Sequence, residues 1–153
     1  MSEGKNLTRS TPLWPHGDTA LMHLVRRASQ RTTACWSASI SSGLSAVQYA
    51  ILVILAEVEK CDQQTLGQRA GFDKATGTYV IERMTRSGLI VTEVDNANRR
   101  RKLVAMTAEG QRVLQQMSGE ARTAEAAFSE NLTGAETEAL KGLLTKLLGI
   151  QEE

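Results

Sequence analysis

Apolar residues along this chain recur mostly at helical spacing, and the exceptions are confined to one short stretch past its middle. From Asp18 to about Ser41, the residues Leu21, Leu24, Val25, Ala28, Cys35 and Trp36 fall on one face, with Asp18 or Thr19 placed to cap the start. Ser41-Ser42-Gly43 ends that pattern. A second helix is predicted from Ser45 to near Glu59, with Val47, Ile51, Ile54, Leu55 and Val58 inward. A short helix follows from Asp62 or Gln63, with Leu66 and Ala70 inward and Gly71 breaking it. Asp73 can then accept backbone N–H bonds as the cap of a further helix, in which Gly77, Val80, Ile81 and Met84 form a buried stripe. Gly88 closes that helix. Leu89 to Asp95 and Arg101 to Thr107 read as the two strands of a hairpin. Two last helices start at Thr107, leading through Val113, Leu114 and Met117 into the alanine-rich Ala121 to Phe128, and at Thr133, whose Glu136 three positions on makes a capping box. The final one carries Leu140, Leu143, Leu144, Leu147 and Leu148.

This pattern predicts a mostly α fold with a small β-wing, divided into an N-terminal arm (1–17), a first helix (18–43), a helix-turn-helix with its hairpin (44–110) and C-terminal helices (111–153). At 153 residues the chain is long enough for one domain with a sizeable core, which a second subunit could extend. The leucine stripe of the last helix is wide, lies at a chain end and has little left to cover, which favours burial against another subunit.

Composition narrows the chemistry. Net charge is +1, so no bulk attraction to a polyanion is expected, yet the segment Lys74 to Lys102 holds seven cations against three anions while the remainder is net acidic. No apolar run is long enough to span a bilayer, and Met1 to Pro15 lacks the apolar core of a secretory signal, so a cytoplasmic location is expected. Two cysteines and two histidines are too few and too scattered for a disulfide framework or a zinc site, and no cofactor is expected. GxSxG, P-loop, HExxH and GxGxxG patterns are missing, so no familiar motif supports an enzyme.

The basic segment has a specific geometry. Two short helices joined by a glycine-containing turn, the second amphipathic with Lys74, Thr76, Thr78, Tyr79, Arg83 and Arg86 on its outer side, match the requirements of a helix-turn-helix reading double-stranded DNA. Arg83 is best suited to a guanine, and Lys74 and Arg86 to phosphate. Glycine in the middle of that helix costs about 1 kcal/mol against alanine. Close packing of Gly77 against the first helix of the motif is the expected compensation. The hairpin carries Arg99, Arg100 and Arg101 at its tip, where a wing can reach the minor groove, whose negative potential attracts guanidinium groups.

From Leu44 to Gly110, through "QQTLGQRAGFDKAT", "RSGLI" and "RKLVAMTAEG", the chain closely resembles the MarR family of bacterial transcriptional regulators. The resemblance implies a homodimer whose first and last two helices form the interface. It also implies binding to pseudo-palindromic operators, usually as a repressor, with release by a small phenolic or aromatic acid. The family wing commonly has an acid where this chain has Asn98, so Arg100 is left to a neutral hydrogen bond or to Asp95.

For an effector, His16, His23, Arg26, Arg27, Trp36 and Tyr49 supply forks for a carboxylate, imidazoles for a phenol and flat apolar walls. The same residues also suit salt bridges to a partner subunit or plain core filling. Cys35 and Cys61 suit either oxidant sensing or burial as small hydrophobes. A winged helix that docks another protein, rather than DNA, is a further class that would show weak salt dependence.

Overall fold

The computed structural model describes residues 20–151. Their order is α1 (Leu21–Ser39), α2 (Ala46–Val58), β1 (Lys60–Asp62), α3 (Gln63–Ala70), α4 (Lys74–Arg86), β2 (Ile90–Val94), β3 (Lys102–Met106), α5 (Ala108–Phe128) and α6 (Gly134–Leu148). The mostly helical architecture with a small wing is as expected. The N-terminal arm, His16 and the proposed caps Asp18 and Thr19 lie outside the described residues, and α1 follows Ala20 at its N-cap position with no side-chain cap.

Each later helix begins on a side chain that accepts a backbone N–H three residues on: Ser45, Asp62, Asp73, Thr107 and Thr133. Such a cap stabilises its helix by about 1 kcal/mol and fixes the residue at which the helix starts. Ser45 with Gln48 and Thr133 with Glu136 close full capping boxes. The buried Gln48 side chain thereby has a partner for its amide oxygen, which accepts the Ser45 N–H at 2.9 Å.

The core forms around α2. Ile51, Leu52 and Leu55 are buried there against Leu66 of α3, Ile81 and Met84 of α4, and Leu89, Ile90 and Val104 at the base of the wing. Val58, expected inward, is 39% exposed. It closes α2, and the chain turns away one residue later through Glu59, the non-glycine residue at positive φ (61°) among those described.

Three strands are present where a two-stranded hairpin was expected. The sheet order is β1-β3-β2, antiparallel throughout, with Lys60, Cys61 and Asp62 opposite Ala105, Val104 and Leu103. Lys-Cys-Asp is too short for alternation to show; it is a strand because β3 offers it an open edge. The hairpin strands are a residue shorter at each end than the sequence pattern implied.

Helix α5 runs antiparallel to α1. Arg31 on α1 donates to the carbonyls of Ala127 (2.8 Å) and Phe128 (3.1 Å) and to the Glu130 carboxylate (2.7 Å), so one guanidinium satisfies the last two carbonyls of α5. Ser41 donates from both its backbone N–H and its hydroxyl to Glu120. At the other end of α5, the Thr107 hydroxyl donates to the Gly88 carbonyl at 2.6 Å and the Thr107 N–H to that of Leu89 at 3.1 Å. Gly110 sits hard against this junction, and a Cβ built there would overlap the Leu89 carbonyl oxygen. Gly119, on the same helix, faces open space.

These two glycines make a matched pair. Gly110→Ala is expected to lower unfolding free energy by about 1–3 kcal/mol through the forced backbone shift, and Gly119→Ala to raise it by up to about 1 kcal/mol. Urea titration of both variants checks this, and equal stability of the two would show that α5 does not press on Leu89.

Candidate nucleic-acid interface

The turn between α3 and α4 is set by one side chain. Gly71 ends α3 in the left-handed region at φ 76°, and the next residue, Phe72, folds its ring between the two helices. A Cβ at Gly67 would lie 2.8 Å, and one at Gly77 2.5 Å, from the Phe72 ring. Gly77 is therefore required by Phe72, not by direct contact with α3 as the sequence suggested. Asp73 then caps α4 by accepting from the Thr76 N–H at 2.8 Å; that bond, followed by the Thr76 hydroxyl, holds its carboxyl below the usual carboxylate range.

The cap and the buried stripe of Gly77, Ile81 and Met84 fix the rotation of α4 and leave Lys74, Thr76, Thr78, Tyr79, Arg83 and Arg86 exposed. These six divide into two groups. Thr76, Tyr79, Arg83 and Arg86 share one outward face by their 0, 3, 7, 10 spacing. Lys74 and Thr78 turn toward the wing instead, where they line a groove of about 980 Å³ with Gln63, Gln64, Gln68, Arg100, Arg101 and Lys102. The Thr78 hydroxyl is engaged there, accepting from the Gln63 amide at 3.3 Å and donating to the Lys74 carbonyl. Among the described residues the side chains of Lys74, Tyr79, Arg83 and Arg86 make no hydrogen bond or ion pair.

The wing tip is a closed turn. The Asp95 N–H donates to the Arg101 carbonyl, the Asn98 N–H to the Asp95 carbonyl and the Arg101 N–H to the Asn98 carbonyl, all within 2.8–3.1 Å. The Asp95 carboxylate accepts from the Ala97 N–H, and the Asn98 side-chain oxygen accepts the Arg100 N–H at 3.1 Å. Asn98 thus holds the Arg100 backbone, while the Arg99 and Arg100 side chains are exposed and make no ion pair among the described residues. Arg101 is different. Its guanidinium lies 2.7 Å from the Asp62 carboxylate and 3.9 Å from that of Asp95, folded back onto the protein.

Of the other sequence candidates, Trp36 and Tyr49 meet, with ring centroids 5.3 Å apart and tilted by 53°, and the Trp36 indole N–H donates to the Leu44 carbonyl at 2.7 Å. Farther toward the start of α1, Arg26 bonds the Nδ1 of His23 at 2.9 Å, with Arg27 exposed beside it. Arg26 and Trp36 are ten residues apart on one helix, about 15 Å along its axis, so within a subunit the cationic and aromatic groups form separate clusters. Burial pushes the Cys61 thiol up, with Asp62 beside it adding to the effect, which lowers its thiolate fraction. Sequence reasoning missed Gln63, Gln64 and Gln68; the run of amides on the exposed side of α3 was the available signal.

A capped recognition helix, a preceding helix locked to it and an arginine-tipped hairpin that lines one groove with both define a winged helix-turn-helix DNA-binding protein. Comparison with known sequences and structures is specific. The chain belongs to the MarR family of transcriptional regulators: the family model matches residues 42–101, and the chain is 31% identical over 126 residues to the transcriptional regulator HosA of Escherichia coli O111:H-, covering 82% of this chain and 93% of that one. It is 28% identical to the HTH-type transcriptional repressor NicR of Pseudomonas putida, over 85% of this chain and 83% of NicR. The structure of Bordetella bronchiseptica BpsR, whose DNA binding is regulated by 6-hydroxynicotinic acid, superposes with a TM-score of 0.83 at 29% identity, covering 93% of this chain and all of that one. No helix among the described residues is long and apolar enough to cross a membrane.

The Asp62 carboxyl titrates at about 2, below its ordinary 3.8, held there first by the Thr65 backbone N–H and then by the Thr65 hydroxyl and Arg101. A depressed folded value means that the charged form stabilises the fold fully above about pH 4 and that this contribution fades as pH falls toward 2. Asp62→Ala is expected to cost about 1 kcal/mol at neutral pH through the lost cap. In urea titrations the deficit relative to wild type should shrink across that acid window, and a deficit independent of pH would contradict the assignment.

Proposed function

We propose that the chain works as a homodimeric repressor that places α4 of each subunit in the major groove of a pseudo-palindromic operator and leaves it when a small aromatic or phenolic acid binds. The observation that carries this reading is the exposure of two cationic elements, the Tyr79, Arg83, Arg86 face of α4 and the Arg99 and Arg100 side chains of the wing, none of them tied to an acid among the described residues. Arg83 and Tyr79 read base edges, Lys74 and Arg86 hold phosphate, and the wing arginines enter the minor groove.

Dimerisation is supported by what α1 and α6 leave uncovered. Neither helix buries a single residue in this chain. Leu21, Met22, Leu24 and Val25 at one end, and Leu140, Leu143, Leu144, Leu147, Leu148 and Ile150 at the other, are 36–80% exposed. Apolar surface on that scale is suited to a second copy, which would set the two α4 helices about one DNA turn, ~34 Å, apart. Leu143→Asp with Leu147→Asp should convert the dimer to monomer in sedimentation and abolish operator binding; a variant that stays dimeric would place the interface elsewhere.

The effector reading is supported by BpsR and by two clusters, one cationic on α1 and one aromatic between α1 and α2. His23, Arg26 and Arg27 supply cations for a carboxylate, with His16 preceding them in the chain, and the Trp36 and Tyr49 rings supply a flat wall; a second subunit is needed to bring the two clusters around one ligand. The ligand shifts the balance between DNA-bound and free forms by its differential affinity for them.

A duplex selected from a random 30-base-pair pool by the wild-type protein tests these roles. Arg83→Ala is expected to weaken binding by about 1–3 kcal/mol and relax preference at one base pair in each half-site. Replacing Arg99 and Arg100 should instead flatten the dependence of affinity on salt. Arg26→Ala should bind the duplex normally and resist release by 6-hydroxynicotinic acid or a related hydroxy-acid that releases wild type. Normal release by that variant removes Arg26 from the effector site.

A further inference from the structure

Arg101 is the wing arginine that does not face outward, and the sheet register explains why. In β3 and its extension, side chains two residues apart share a face. Asp62, the last residue of β1, is opposite Leu103, so Arg101 lies diagonally from it on the same face. On the other side β2 runs on so that Asp95 is opposite Arg101, its N–H bonded to the Arg101 carbonyl. The guanidinium therefore sits between an acid from each flanking strand, 2.7 Å from Asp62 and 3.9 Å from Asp95. Asp62 is also the residue on which α3 starts. It accepts from the Thr65 N–H at 3.0 Å through one carboxylate oxygen and from the Thr65 hydroxyl at 2.8 Å through the other, and this second oxygen is the one that meets Arg101.

One carboxylate thus joins the first turn of the helix-turn-helix to the root of the wing tip. With 17% of its side chain exposed, Asp62 is more shielded than the Arg101 guanidinium it holds, which is half exposed. We propose that Asp62 is a positioning residue for DNA recognition: through Arg101 it fixes the distance between wing and α4, so that Arg99 and Arg100 meet the minor groove while α4 occupies the adjacent major groove. Arg101 accordingly acts as a strut, and the minor-groove contact belongs to Arg99 and Arg100. This rests on the DNA-binding function proposed above.

Asp62→Asn is the informative variant, because asparagine caps a helix as well as aspartate does and keeps α3 in place while removing the charge that holds Arg101. On the selected duplex we expect Asp62→Asn, Arg101→Gln and the double variant each to bind about fivefold more weakly per engaged wing, with the double no worse than either single. Hydroxyl-radical footprinting should show the outer minor-groove protection lost and dimethyl sulfate protection of major-groove guanines retained. Asp62→Glu, which can re-form the ion pair, should recover part of the loss. Wild-type footprints for Asp62→Asn, or losses that add in the double variant, overturn the strut while leaving the repressor reading intact. Failure of the wild-type protein to enrich any duplex overturns both.

Discussion

The Phe72 ring, seated on the bare backbone of Gly67 and Gly77, is the constraint from which the DNA-facing surface follows. Two helices as short as α3 and α4 have little area with which to define a crossing angle. An aromatic ring wedged against glycine on each side allows close approach in one arrangement and blocks the others. The mid-helix glycine of α4 has a propensity cost of about 1 kcal/mol, and it is offset by the burial of a large ring that any Cβ would displace. Once that angle is set, the Asp73 cap fixes where α4 begins and hence which of its side chains look outward.

Burial is distributed very unevenly. The fully buried side chains gather around α2 and the base of the wing, with Met117 and Ala124 on α5, and neither α1 nor α6 contributes one. The region that presents the recognition helix is thus a complete small core. Helix α1 holds on to α5 through Arg31, Ser41 and the side chains between them. In the proposed dimer the two halves of the molecule have different sources of stability, one internal and one shared between copies.

Much of this was legible in the sequence, and the reason is that the informative signals were local. Asp73, Thr107, Ser45 and Thr133 cap the helices they precede because capping needs only a side chain and the next three residues. The stripe of Gly77, Ile81 and Met84 is visible because helical period is a property of one segment. What was hidden depended on contacts between segments. Lys60–Asp62 is a strand only because β3 lies beside it, and Arg101 parts from Arg99 and Arg100 only because the register brings Asp62 and Asp95 to it. The meaning of Gly77 required knowing where Phe72 would turn. The cationic group near the start of α1 and the aromatic pair near its end were likewise read as one inventory, since a list of residue types carries no distance along the helix axis.

Helix α5 is braced at both ends, by Thr107 and Gly110 against the Gly88–Leu89 carbonyls at the foot of the wing and by Arg31 over its last carbonyls. Twenty-one helical residues make a rigid rod of about 31 Å. Pivoted near Arg31, a tilt of only about 5° carries its far end sideways by nearly 3 Å, on the order of a base-pair rise. In the proposed repressor that length is a lever arm, so a displacement too small to disturb packing at one end becomes a misfit with the operator at the other.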